Sequence, residues 1–240
     1  MKISTKLSSI RQSKLVVALF AIVLSACFTG CSKNETEVPS ISGLMIVNAS
    51  PGAGTYNVYI NDVSSSVNQK GALPFMGTIA PYFNITPGAN KIKFTTSSST
   101  ASVFTETTNL ENDKAYSYFL VNDVPNLSGL LVQDDLSLSS AEKGFIRFVN
   151  LIPDAGALDL AVSGGTTLVG NKAFKTASEF ISADPKNYEL QLIDKSSGTI
   201  VATLKDVTIT AGKMYTIVAG GMIQPSELQH AAKIGVITNK

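Results

Sequence analysis

The body of this chain states one pattern twice, about 100 residues apart, and that repetition limits the fold more than any other feature. Val47-Asn48-Ala49-Ser50-Pro51-Gly52-Ala53-Gly54 returns as Val149-Asn150-Leu151-Ile152-Pro153-Asp154-Ala155-Gly156, an offset of 102. The register then holds without a gap, with Tyr56 on Leu158 and Val58 on Leu160. Farther on, Asp113-Lys114-Ala115-Tyr116 falls on Gly212-Lys213-Met214-Tyr215, and Leu130-Leu131-Val132 on Ile234-Gly235-Val236. Small changes in offset are what loop insertions produce. A period this long predicts tandem domains, because solenoid repeats are shorter. The boundary falls near residues 137–143, which carry no strand pattern, giving modules at 43–138 and 139–240.

Within each copy the signals are for short strands. Residues 44–48, 56–60, 91–95, 103–107 and 116–121 alternate or run apolar, and 146–150, 158–162, 188–193, 200–204 and 215–219 take the same places. Turn-forming clusters such as Pro51-Gly52, Asn61-Asp62 and Pro87-Gly88 separate them. No window of ten or more body residues carries a 3.6-residue period. About seven short strands per roughly 95 residues predict two all-β, Ig-like antiparallel sandwiches, with alternate residues facing each core. A true immunoglobulin domain is not expected, since the chain has no Trp and both cysteines lie before the body. No internal disulfide or thiolate metal site can therefore form there.

The N-terminus reads as a processing signal. Lys2, Lys6, Arg11 and Lys14 precede the apolar run L-V-V-A-L-F-A-I-V-L-S-A at 15–26, with no acid among them. Twelve residues are too few to span a hydrocarbon layer, which takes about 20. A basic start, a short apolar centre and small residues before a cleavage point make a secretory signal over 1–26. Its removal leaves 15 basic against 18 acidic residues, a net charge of −3. That balance excludes nucleic acid as a partner, which needs clustered Lys and Arg.

Leu24-Ser25-Ala26-Cys27 resembles the lipobox of bacterial lipoproteins, in which the cysteine sulfur receives a diacylglycerol before cleavage. Phe28-Thr29-Gly30-Cys31 is the alternative; Ser32-Lys33-Asn34-Glu35 after it is similar to the acidic export tag of some surface-exposed lipoproteins. The resemblance implies a bilayer anchor through an acylated Cys27 or Cys31, with palmitate-type chains. It implies a place in the bacterial cell envelope, at the outer membrane, with surface exposure one of two faces left open. Several acyl chains anchor firmly where one alone is marginal. Residues 27–42 are then a polar tether, and 32–43 fully extended would reach roughly 40 Å at about 3.3 Å per residue.

The opening segments V-N-A-S-P-G-A-G-T-Y-N-V-Y-I-N and V-N-L-I-P-D-A-G-A-L-D-L-A-V, with Ala211-Gly212-Lys213-Met214-Tyr215-Thr216, resemble a bacterial family of unknown function. Its modules open V-x-A-S-P-D-A and close A-G-K-x-Y-T. The resemblance covers nearly all of 43–238 and implies paired β-sandwiches on secreted or lipid-anchored proteins. This chain departs at Gly52, where the family has Asp, and at Leu151-Ile152, where it has Ala-Ser.

Chemistry is sparse. The single histidine, His230, sits in a polar stretch with no motif around it, as expected of a solvated loop residue. Asp134-Asp135 and Asp154/Asp159 are the densest acids, and a glycosidase needs a carboxylate pair. Acids beside Pro and Gly are more simply turn formers. No calcium or phosphate loop occurs, so no metal and no cofactor is expected. Leu73-Pro74-Phe75-Met76 with Tyr82-Phe83 has a counterpart in Ala173-Phe174 with Phe180-Ile181, which favours core over an exposed patch. The expected function is a non-catalytic binding or structural module displayed at the membrane, its contacts made by loops at Pro51, Gly52, Pro153 and Asp154. The partner would be an envelope protein or a glycan, with Tyr56, Tyr59 and Tyr82 available to stack on a sugar if exposed. The alternative is a hydrolase of envelope or extracellular polymer.

Overall fold

Segments 44–48 and 116–121 carry apolar residues on both faces, and the computed structural model shows what covers the second face. It describes residues 40–64 and 72–240; Cys27, Cys31, the signal segment and most of the tether lie outside them. The first half supplies β1 (Ser42–Asn48), β2 (Tyr56–Ile60), β3 (Val63–Ser64), β4 (Thr78–Ile85), β5 (Gly88–Thr96), β6 (Ser102–Leu110), β7 (Ala115–Val121) and β8 (Ser128–Asp134). The second supplies β9 (Gly144–Asn150), β10 (Leu158–Val162), β11 (Thr167–Lys172), β12 (Thr176–Ala177), β13 (Ile181–Ala183), β14 (Asn187–Asp194), β15 (Ile200–Thr208), β16 (Met214–Gly220) and β17 (Lys233–Thr238). The fold is all-β, with no helix among the described residues.

Each half is a pair of sheets. In the first, β4-β1-β7-β8 lies against β3-β2-β5-β6; in the second, β12-β9-β16-β17, with β13 also on β9, lies against β11-β10-β14-β15. One pair in each half departs from the expected antiparallel pattern. β1 runs parallel to β7, Ile46 opposite Tyr118, and β9 parallel to β16, Ile146 opposite Tyr215. Parallel neighbours need a long crossover, and the other sheet of the sandwich supplies it.

The outer sheets alternate as a half-exposed strand should. β2 buries Tyr56, Val58 and Ile60 and leaves Asn57 and Tyr59 half-buried. The inner sheets do not alternate. Leu44 and Ile46 join the first core with Ile92, Phe94 and Tyr118, while Met45 and Val47 on the opposite face join Phe119, Val121, Val149, Leu151 and Val218. That third cluster is where the two inner sheets meet. The halves thus stack as four sheet layers, and β1, β7, β9 and β16 read as near-continuous apolar runs, broken by buried Ser117, Arg147 and Thr216, because both faces are covered. Met76 helps lock the stack, its thioether filling the space a side chain at Gly220 or Gly235 would take.

The interface also buries charge. Arg147 on β9 lies 2.5 Å from Asp134 on β8, with both side chains nearly out of solvent. Its guanidinium donates to Ser117 Oγ at 3.0 Å and Thr216 Oγ1 at 2.8 Å, and it rests on the Phe180 ring. Ser117 Oγ donates to Asp134 at 2.6 Å, Tyr82 donates to the same carboxylate, and Asn239 Nδ2 donates to the Tyr82 hydroxyl at 2.7 Å. Ser117, Asp134 and Tyr82 from the first half and Arg147 and Asn239 from the second thus form one network across the contact, which offsets the cost of burying the charges.

The repeated Asn earns its place through its backbone partners. Asn48 Nδ2 donates to the Leu73 carbonyl at 3.0 Å, and Asn48 Oδ1 accepts from Ser50 N at 3.1 Å. Asn150 does the same with the Lys172 carbonyl, at 2.9 Å, and Ile152 N, at 3.1 Å. Both residues are completely buried. Beside each lies a left-handed residue, Met76 at φ 59° and Lys175 at φ 58°, whose N–H reaches the carbonyl of the same Asn at 2.7 and 2.8 Å.

Candidate binding site at the loop end

The parallel pairs give the body two unlike ends. Residues following β1, β7, β9 and β16 converge at one end, where Pro51, Asn122, Asp123, Val124, Asn126, Pro153, Met222 and Gln229 line a cleft of about 320 Å³. The chain reaches β1 at the other end, beside a broader cleft of about 710 Å³ bordered by Ile41, Ser42, Asp113, Lys114, Asp134 and Asp135. Seven-residue strands separate the ends by about 20 Å. The smaller cleft is the better site, because both halves build it and it lies away from the point where the chain arrives.

Of the four loop residues singled out from the sequence, the structure brings Pro51 and Pro153 to this one cleft. Pro51 and Gly52 are buried, Pro153 is half-buried and Asp154 is exposed. Their cover is the loop between β16 and β17, which crosses onto the first half. His230 N donates to the Pro51 carbonyl at 2.7 Å, Ala53 N to Leu228 O at 3.0 Å, and Gln229 Nε2 to Asp123 at 3.2 Å. His230 is exposed, as expected, but it is also stacked on Phe75 at 4.3 Å between ring centroids. Val124, Ile223 and Leu228 stand exposed in the same loops.

The departure at Gly52 now has a physical cause. Asp154 accepts from Ile223 N and Gln224 N, each at 2.9 Å, and so fastens the loop after β16. In the first half the acid belongs to the loop after β7 instead. Asp123 accepts from Val124 N at 2.7 Å, and its carboxylate would lie 2.3 Å from a Cβ at position 52. A side chain at 52 and the Asp123 carboxylate compete for one space.

The remaining acids are each committed. Asp134 is paired with Arg147. The Ser137 hydroxyl and amide hold Asp135 below the usual carboxylate range, opposite to the raised value of a general acid. Asp159 accepts from Asn171 N at 2.6 Å and faces Lys195 at 3.3 Å. Among the described residues no group of three or more His, Cys, Asp or Glu is placed to hold a metal ion.

None of the aromatic residues that could have met a sugar is fully exposed. Tyr56 is 2% exposed, Tyr59 is half-buried beneath the Lys93 ammonium, and Tyr82 is tied into the interface network. The core reading of the Leu73 segment holds in part: Leu73 and Phe75 are buried, but Pro74 and Ala173 are exposed, and half-buried Met76, Tyr82 and Phe174 pack on the contact between the halves instead of inside one sandwich. Sequence reasoning missed the contribution of residues 122–126 and 222–229. Their signal was only a polar stretch between strands, with Val124-Pro125 and Ile223-Gln224-Pro225 as turn markers.

The family described as Domain of unknown function (DUF4397) matches residues 42–161, half of the chain. The chain belongs to this family. The DUF4397 match takes in all eight strands of the first half and continues through β9 into β10. No curated protein matches the chain. Among solved structures, the C-terminal domain of AlgF from P. aeruginosa is similar at 22% identity over 41% of this chain and 98% of that one, with a TM-score of 0.28. A family CBM26 module of Eubacterium rectale Amy13K, solved with maltoheptaose, is similar at 11% identity over 82% and 97%, with a TM-score of 0.27. The Bacillus anthracis TIE protein gives 11% identity over 76% and 34%, with a TM-score of 0.25. None superposes closely enough to lend its ligand to this DUF4397 chain.

Proposed function

We propose that this protein is a lipid-anchored component of the bacterial envelope, acting as a non-catalytic binding or structural module made of two tandem copies of one sandwich. The observation that carries the reading is polarity. The strands β1, β7, β9 and β16 end together at a cleft built by both halves, about 20 Å from where the chain enters β1. A lipid on Cys27, or on Cys31, and a polar tether would then present that cleft away from the bilayer. The matched roles of Asn48 and Asn150 support the duplication. The hydrolase alternative finds no favourable geometry, because its named acids are occupied by Arg147, Ser137, Lys195 and loop amides.

Metabolic labelling with an alkynyl palmitate tests the anchor, and a photo-crosslinker at Asn126 tests the surface. Label lost in Cys27→Ser, or in Cys31→Ser, supports the anchor and chooses the cysteine; an unlabelled wild-type chain rejects it. One stoichiometric crosslinked product from Asn126, and none from Asp113, supports display of the loop end. The reverse pattern rejects it.

A further inference from the structure

The loop-end cleft has a chemistry of its own. Its polar side chains are three carboxamides, Asn122, Asn126 and Gln229, and one carboxylate, Asp123; no Lys or Arg lines it. Its apolar side chains are Pro51, Pro153, Val124 and Met222. An anionic ligand would meet Asp123 with no cation among the lining residues, the nearest ammonium, Lys175, being held behind Asn122 on Ser128 Oγ at 3.3 Å, which disfavours phosphates and acidic sugars. A carboxamide both donates and accepts, and so does a hydroxyl; three carboxamides and a carboxylate therefore suit a ligand rich in hydroxyls. The two prolines and Met222 offer carbon surface without N–H groups, which suits the C–H face of a sugar ring. A volume of about 320 Å³ lies at the small end of the range for small-molecule sites, roughly 300–1,000 Å³.

The polar groups are partly held in place before any ligand arrives. Asn122 Nδ2 donates to Ser128 Oγ at 3.1 Å, Gln229 Nε2 to Asp123 at 3.2 Å, and Gln229 Oε1 accepts from Ser226 N at 3.1 Å. Asn126 N donates to the Asp123 carbonyl at 2.6 Å, while the Asn126 side chain is exposed at the rim. Fixed donors and acceptors lose less freedom on binding than mobile ones. Pro51, Asn122 and Asp123 come from one half, and Pro153, Met222 and Gln229 from the other, so neither half alone encloses the space.

We infer that this cleft binds one or two residues of a neutral saccharide, gripping ring hydroxyls with Asp123, Asn126 and Gln229 and resting the ring on Pro153 and Met222. The inference rests on the display reading above and adds the ligand class to it.

The test is titration calorimetry of the full detergent-solubilised lipoprotein with neutral tetrasaccharides of glucose, mannose, galactose and N-acetylglucosamine. Tetragalacturonate is the charged control. Binding of at least one neutral probe, weakened on the order of tenfold or more in Asn126→Ala and in Met222→Ala but unchanged in Asp113→Ala, supports the inference. Thermal melts of the variants show whether any loss comes from unfolding. Stronger binding of tetragalacturonate overturns it, as does neutral binding that Asn126→Ala and Met222→Ala leave intact. If no sugar binds while Asn126 crosslinks one stoichiometric protein, the saccharide is wrong and the display reading survives. If neither occurs, both fall.

Discussion

Arg147 and Asp134 meet across the two halves of the chain as an ion pair with almost no solvent contact. A pair this buried adds little net stability against apolar replacements, yet removing one partner strands the other charge. Arg147→Ala is therefore expected to cost about 3–5 kcal/mol in urea unfolding, and Arg147→Met with Asp134→Leu much less than the sum of its single changes. An additive double variant would show that the two side chains do not act together.

A second expectation concerns the Asn pair. Asn48→Ala and Asn150→Ala each leave a buried amide, Ser50 N or Ile152 N, without its side-chain acceptor, a loss of about 1–3 kcal/mol, and also remove the donor to the Leu73 or Lys172 carbonyl. Equilibrium unfolding should find the two variants weakened to a similar degree. A large effect at one and none at the other would contradict their equivalence.

Gly129 is required by a close approach. A Cβ there would lie 2.0 Å from Glu106 Oε2 and 2.1 Å from the Tyr118 hydroxyl, which donates to that carboxylate at 2.6 Å. Gly129→Ala should cost at least about 1–3 kcal/mol by breaking this hydrogen bond, and less when placed on a Tyr118→Phe background. Denaturation midpoints of the four-member cycle decide it.

The loop after β16 should loosen alone. Asp154→Ala frees the amides of Ile223 and Gln224 at an exposed site, so global stability should change by roughly 0.5–1.5 kcal/mol or less. Hydrogen exchange at those two amides should rise sharply, while the amides of β9 and β16 stay protected.

Stability should respond to pH at both extremes. Burial first, then a neighbouring carboxylate, raises the hydroxyls of Tyr82 and Tyr118 far above the ordinary value of 10.0. The folded state holds those protons more tightly, so this stability is complete below about pH 10 and declines as pH rises beyond it. Tyr82→Phe should make the alkaline decline shallower. Hydrogen bonds from Ser196 and then Ser197 hold Asp194 down from 3.8 to about 2. That contribution is present above about pH 4 and fades as pH falls towards 2. Urea midpoints from pH 2 to 11 measure both limbs.

Much of the architecture was legible because short alternating runs and turn residues are local signals. The repeat at Val47-Asn48 and Val149-Asn150 located equivalent strands, and each strand proposed at 56–60 or 158–162 lies where its pattern put it. The contact between halves was not legible. Met45, Val47 and Val149 look like the second face of a sheet, and nothing in a single strand says which distant sheet covers it. Arg147 in an apolar run was the local clue to a buried partner, but the partner lies on β8. The cleft was half legible for the same reason. Pro51 and Pro153 stood out by repetition, whereas Asp123, Asn126 and Gln229 joined them only through long-range folding.

The direction of β1 has a mechanical consequence. A pull between the loop-end cleft and residue 42 would run along this strand, which is bonded to β4 on one side and β7 on the other. Such a load shears those hydrogen bonds together instead of unzipping them one by one. A body gripped by its loops and held by its N-terminus would therefore transmit tension through its strongest axis.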